Sequence, residues 1–276
     1  MSDLENDESK RRFLEQLPPW IFGSVGANTS CVSIYFPEYP NVLFVFDAGS
    51  GIRELGLTIK VPHYHLFLSH LHWDHIMGFP FFGPAYNPNV TIDMYSFNKD
   101  FASVLSMQMK PPYFPTRMET MGSQQRFHIL TEVIKFGRVT VDYRYINHPN
   151  GACSYRIDDG KHCCLYITDI EITAAAFVRD GESEAFYQNI DLAIIDSQYT
   201  PLEMFSKATW GHSSFNLAVD FAAYWSIKHI VLFHHDPTYD DQKIFNIVQA
   251  ARRYQELLER KDITIQLAIE GTSIDL

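Results

Sequence analysis

A chain of 276 residues with 33 acidic against 22 basic residues, and a formal net charge of -11, opposes the attraction that drives most non-specific nucleic-acid binding. A large polyanionic partner is therefore disfavoured, although a small anion held by metal is not. The 46% apolar content suffices for the core of one large domain or two small ones, and no apolar run approaches the roughly 18–20 residues of a membrane span.

In chain order, the acidic stretch up to about Gln16 is expected as a solvated tail or short helix, so residues 1–20 are set apart from a single compact domain over 21–276. The beginning, MSDLENDESKRRF, lacks the apolar core of a secretion signal, and Cys31, Cys153, Cys163 and Cys164 form no CxxC pair. Reduced thiols and a cytoplasmic address are expected. VLFVF (42–46), HLFLS (65–69), VTVDYRYI (139–146), HCCLYIT (162–168), DLAII (191–195) and HIVLF (229–233) read as strands, rich in β-branched and aromatic residues. GFPFFGPAY (78–86) and MKPPYFPT (109–116) read as aromatic, proline-rich loops that either wall a pocket or make ordinary core or dimer contacts. A helix is expected from about Ser213, with Ala218, Phe221, Ala222 and Trp225 on one stripe. A second follows, with Ile244, Ile247, Val248, Ala251, Tyr254, Leu257 and Leu258 at the spacing of one buried face. Strands interleaved with helices predict an α/β or α+β layered domain.

The chemistry concentrates in SHLHWDH (69–75). In extended chain, side chains two apart point the same way, so His70 and His72 can face one metal while Asp74 and His75, past the turn at Trp73, face another. Two adjacent divalent cations are implied, of the kind that acidify water and clamp the attacking and leaving oxygens of a displacement. Imidazole and carboxylate suit zinc best, and manganese or iron also. A loop that merely caps a strand needs no such density of polar groups.

With these residues the chain resembles the metallo-β-lactamase fold superfamily, whose HxHxDH motif stands here as His70, His72, Asp74 and His75. The resemblance runs from about Phe22 and continues through FDAGSG (46–51), NHPNGACSYRI (147–157), YITDIE (166–171) and LFHHDP (232–237). It implies a four-layer αββα sandwich with the site along the common edge of two sheets. It also implies that His70, His72 and His148 hold the first metal, that Asp74, His75 and a late histidine hold the second, and that Asp169 bridges both. His234 and His235 compete for the late position. The resembling proteins place the ligand second after the strand, which favours His235, since one residue of slip turns a strand side chain to the opposite face. Asp47 is expected to accept the free N–H of a ligand histidine or hold the loop, unless it is a plain turn aspartate.

Fold alone assigns no substrate. DLAIIDSQYTP (191–201) followed by TWGHSSFNLAVDFA (209–222) resembles the region of ribonuclease Z and related phosphodiesterases in which a strand-ending acid precedes a histidine that opens a helix. That resemblance makes His212 the proton donor to a leaving oxygen and Asp196 its orienting carboxylate, with Asp74 the third expected catalytic group; otherwise Ser213 or Ser214 simply caps a helix. LHWDHIMGFPFF and HPNGACSYRI look closer to bacterial relatives of cyclic-nucleotide phosphodiesterases than to tRNA 3′-processing enzymes. The segment after Asp169 is short and acidic rather than a long Gly/Pro-rich arm. The expectation is a two-metal phosphodiesterase for small phosphodiesters, foremost a cyclic nucleotide. The competing class is a thioester or lactone hydrolase, or a nucleotide-binding sensor, on the same fold. A homodimer is expected because the resembling proteins commonly form one. Tyr155 and Arg156 match a pair in those proteins but receive no role. His63, His65, His128, His162, His229 and His234 lie without a second ligand at suitable spacing and are expected as ordinary side chains. Cys163 and Cys164 are expected as small hydrophobes.

Overall fold

The computed structural model describes residues 6–17 and 24–276. The expected boundary at residue 21, and the start of the resemblance at Phe22, lie outside the described residues. The stretch before them holds a short helix, α1 (Asp7–Glu15), started by a reciprocal cap in which Asn6 Oδ1 accepts the Ser9 N–H and Ser9 Oγ accepts the Asn6 N–H.

Two sheets follow one another along the chain. The first contains β1 (Val32–Ile34), β2 (Val42–Phe46), β3 (His63–Phe67), β4 (Thr91–Ser96) and β5 (Gln124–Ile129) in that spatial order. Its pairings are parallel except β1 with β2. The second contains β6 (Ile134–Phe136), β7 (Val139–Ile146), β8 (Ala152–Asp158), β9 (Cys163–Ile167), β10 (Leu192–Asp196), β11 (His229–Phe233) and β12 (Thr264–Leu267), also ordered spatially by sequence. It is antiparallel from β6 to β9 and parallel from β9 to β12. The expected strands 139–146 and 229–233 have the same bounds in the structure.

The period of two along each central strand builds the layers. In β2, Phe44 and Phe46 point into a core between the sheets while Leu43 and Val45 point outward under helices. In β9, Cys164 and Tyr166 face inward, and Cys163, Leu165 and Ile167 face the helices of the other flank. Strands buried on both faces explain why these stretches read as continuous apolar runs rather than alternating ones. The outer layer over the first sheet contains α2 (Gly51–Thr58), α3 (Trp73–Ile76) and α4 (Phe101–Gln108), with Phe79, Phe82 and Phe101 in its core. Over the second sheet lie α5 (Gly181–Tyr187), α6 (Pro201–Ser206), α7 (Phe215–Trp225) and α8 (Asp241–Leu257). There α7 inserts Ala218, Phe221, Ala222 and Trp225, and α8 inserts Ile244, Ile247, Val248 and Ala251. The predicted stripe of α8 ends early: Leu257 is 81% exposed, because the helix end outruns the sheet. The result is the αββα sandwich. Truncating an inter-sheet aromatic such as Phe46, which is fully buried, would cost about 3–5 kcal/mol. Among the described residues no helix is long and apolar enough to cross a membrane.

Candidate functional site

The strands β2, β3, β7, β9, β10 and β11 deliver Asp47, His70, His148, Asp169, Asp196 and His234 to one edge of the sandwich, each at or within three residues of a strand's last residue. Three of these exits bend sharply: Asp47 (φ 62), Asp169 (φ 53) and His234 (φ 59) occupy the left-handed region. Non-glycine residues enter that region at a cost of order 1 kcal/mol or more and persist where the surrounding structure fixes them.

His70, His72 and His148 form one group. Their ring centroids lie 4.4, 4.7 and 5.0 Å apart in pairs, and His148 Nε2 is 3.2 Å from His72 Nδ1. Asp74, His75, Asp169 and His234 form a second. Asp169 spans the two with its separate oxygens. Its Oδ1 stands 3.2 Å from both His75 Nε2 and His234 Nε2, and its Oδ2 stands 3.6 Å from His70 Nε2 and 3.8 Å from His148 Nε2. Asp74 Oδ2 closes the second group at 3.3 Å from His75 Nε2 and 3.2 Å from His234 Nε2.

The far sides of these rings are tied down. Asp47, fully buried, accepts the His75 Nδ1–H at 2.8 Å, the Tyr166 hydroxyl at 2.8 Å, and both the N–H and hydroxyl of Ser69 at 2.7 Å. Ser69 Oγ in turn accepts from His70 Nδ1 at 3.0 Å. Asp47 is thus the orienting carboxylate, and the loop it opens packs close: a Cβ on Gly49 would lie 2.3 Å from the Asp74 carbonyl oxygen. His148 Nδ1 donates to the Gly211 carbonyl at 2.9 Å. These bonds assign tautomers that turn Nε2 of His70, His75 and His148 inward.

The donor set fits divalent cations. His70 Nε2 and His75 Nε2 are buried with no hydrogen-bond partner, which costs of order 1–3 kcal/mol each unless something else ligates them. The 3.2–3.8 Å separations around Asp169 exceed the about 2.7–2.9 Å of charge-assisted hydrogen bonds. They suit donors that each lie about 2.0–2.2 Å from a shared zinc. Burial, then the neighbouring His75, pushes His70 down to about 2, and burial also lowers His72 and His148, so all three stay in the neutral form that ligates. In the second group burial opposes charge, but the carboxylates win: Asp169 and Asp47 hold His75 well above the usual imidazole range, and Asp169 with Asp74 lifts His234 to about 9.

His212 stands beside both groups. Its Nδ1 is 2.7 Å from Asp196 Oδ2 and its Nε2 is 4.0 Å from Asp169 Oδ2. Asp196, fully buried, spends Oδ1 on the N–H groups of Ser213 (2.9 Å) and Gln198 (3.2 Å). Ser213 is not a free cap: its hydroxyl links the Ile170 carbonyl and the Ile172 N–H, which fastens the His212 loop to the Asp169 loop.

One expected residue is displaced. The structure brings His234, not His235, to the second group; His235 finds no hydrogen-bond partner for either ring nitrogen, and burial pushes it down to about 4. The register argument for His235 assumed that the extended strand continues, whereas the left-handed turn at His234 breaks the alternation and swings its ring into the edge. No sequence pattern announces such a turn at a histidine. Arg156 lies outside the cluster, bonded to the carbonyls of Phe186 and Gln188 and to Asp158. The thiols of Cys163 and Cys164 are buried and lie in neither group. The two aromatic loops meet, with Phe81 edge-on to Phe114 at 5.4 Å, and Trp73 projects between His72 and Asp74 with 74% exposure.

The chain is similar to several known proteins. The model of the beta-lactamase superfamily domain matches residues 44–235, which is well over half of the chain and takes in both groups and His212. Ribonuclease Z of Staphylococcus carnosus is 25% identical over 141 residues, and the match spans 48% of this chain and 44% of that protein. The chain thus covers less than half the length of that relative. Among solved structures, a diphosphatase from the PhnP family is 18% identical with a TM-score of 0.62, over 90% of this chain and 84% of that one. The short form of human tRNase Z is 16% identical with a TM-score of 0.63, over 92% and 96%. At these identities the two structures show a common fold. On the strength of the family match, this chain belongs to the beta-lactamase superfamily.

Proposed function

We propose that the protein is a two-metal phosphodiesterase for small phosphodiesters, foremost a cyclic nucleotide. The observation that carries this reading is His212, anchored at Nδ1 by Asp196 while its Nε2 faces the bridging Asp169. His70, His72 and His148 would hold one divalent cation, Asp74, His75 and His234 the other, and Asp169 both. Such cations supply Lewis acidity and charge neutralisation toward phosphoryl oxygens and water. With Asp196 accepting the Nδ1–H, the exchangeable proton of His212 sits on Nε2, aimed at the cleft between the groups. An alkoxide leaving group needs that proton, and a positioned histidine contributes typically 10²–10⁴-fold. A thioester hydrolase, whose thiolate departs without a proton, has less use for it, whereas a lactone also expels an alkoxide and is separated by the substrate test. Asp74 closes the second group. The net charge of -11 supports a small anion over tRNA, and exposed Trp73, between His72 and Asp74 in the sequence, offers an aromatic face for a base.

The test is metal content and turnover of bis(p-nitrophenyl) phosphate, 2′,3′- and 3′,5′-cyclic nucleotides, a precursor tRNA, and thioester and lactone substrates. Cyclic-nucleotide hydrolysis that falls at least about 100-fold in His212→Ala with metal retained is the expected result. Full metal without phosphodiester turnover overturns the reading, and turnover of tRNA alone overturns the small substrate.

A further inference from the structure

A second convergence of histidines lies away from the strand-end edge, on the inner face of the first sheet. The ladder explains it. Asp93 of β4 is paired directly with His65 of β3 and Arg126 of β5, and the same face carries His63 two residues before His65 and His128 two residues after Arg126. The Asp93 carboxylate is buried and divided between imidazoles, with His63 Nε2 2.6 Å from Oδ2 and His128 Nε2 2.6 Å from Oδ1. His65 adds a third ring, its centroid 4.4 Å from that of His63, its Nδ1 held by the Tyr95 hydroxyl at 3.1 Å so that Nε2 is the free donor. Ligand atoms of His63, His65 and Asp93 all lie within 4.8 Å of one another.

We propose that His63, His65 and Asp93 form a zinc site separate from the catalytic edge, with water completing the coordination. Two imidazoles and a carboxylate are a zinc donor set, and all three side chains rise from the paired strands β3 and β4, which place donors more rigidly than loops do. Tyr95 engages Nδ1 of His65 and so holds the angle of its ring. His63 and His128 are 32% and 42% exposed, so the ion has an entry path past them to the buried carboxylate. Zinc at His63 Nε2 would take the place of the hydrogen bond to Asp93, with the ring proton of His63 carried on Nδ1. Arg126, with Nη1 3.7 Å from Asp93 Oδ2, is the positive charge it competes with.

The experiment measures zinc per chain in the zinc-loaded full-length protein after removal of loosely held ion, for wild type and the His63→Gln/His65→Gln double variant. None of these residues belongs to the catalytic groups, so activity serves as a check that the fold and the first site persist. One zinc fewer per chain in the variant, with hydrolysis unchanged, is the expected result; equal zinc in both overturns the proposal. If the double variant fails to fold, Arg126→Ala decides by zinc titration. Removing the competing cation should tighten the weakest zinc site several-fold, and an unchanged titration overturns the proposal.

Discussion

The carbonyl oxygen of Gly211 accepts the Nδ1–H of His148 at 2.9 Å, and the glycine that provides it has φ +89. An added Cβ would lie 2.2 Å from that same Nδ1 and 2.4 Å from Pro149 Cδ. Gly211→Ala should therefore cost about 1–3 kcal/mol of stability through the left-handed backbone alone, and should also turn His148 out of its group. Thermal unfolding and zinc titration would show both effects together; a variant with wild-type metal affinity would refute the link between the two residues.

His234 and His235 are neighbours with opposite fates, and paired variants separate them. His234→Ala should lose one of the two metals, with affinity at the second site down by at least about 100-fold. His235→Ala should keep both, because its ring touches neither Asp74 nor Asp169. Equal losses in the two variants would contradict the placement.

Asp47 touches no substrate in this account, yet four donors depend on it: His75, Tyr166 and two groups of Ser69. Asp47→Asn replaces an acceptor by a donor facing other donors. The expected outcome is a loss of roughly 1.5–3 kcal/mol for bonds to a charged acceptor and a metal affinity lower by 10–100-fold, read by denaturant unfolding and competitive chelation.

Glu203 on α6 ties the start of that helix to the start of α8. It accepts from Thr200 N–H and hydroxyl, from the Tyr239 hydroxyl, and from Lys243 at 2.5 Å. Burial raises its carboxyl, but Lys243 and these hydrogen bonds outweigh it and hold the group at about 2. A folded value below the unfolded one, about 4.3–4.5, means that the bond contributes stability above that pH and loses it as pH falls toward 2. Glu203→Gln should remove roughly 1–2 kcal/mol at pH 7, after discounting for solvent screening. It should also flatten the stability profile between pH 4.5 and 2, and a parallel profile would contradict this role.

Much of the scaffold is legible because its central strands are buried on both faces and spelled in Val, Ile, Leu and Phe. What is hidden is hidden for physical reasons. The strand β5, QQRFHI, turns Phe127 and Ile129 to a partly exposed face and puts Arg126 and His128 against Asp93, so its inward side looks like a polar loop. β12 has four residues, too few for a pattern. Within the site, HxHxDH is visible because its ligands lie close in sequence. The cross-strand contacts of His63, His65 and His128 are not visible, since pairing register appears in no single stretch. His234 is missed because its placement depends on one backbone angle.

The first sheet comes wholly from residues 32–129 and the second from 134–267, so the chain is two consecutive halves laid face to face. The first half carries His70, His72, Asp74 and His75; the second carries His148, Asp169 and His234. Neither half holds a complete group of candidate ligands, and an ion bound at the edge would act as a clasp that closes only when both are docked. By mass action, a metal at a thousand times its dissociation constant would add about 4.1 kcal/mol to the docked state. Metal supply would then govern not only turnover but how firmly the two halves of the sandwich stay shut.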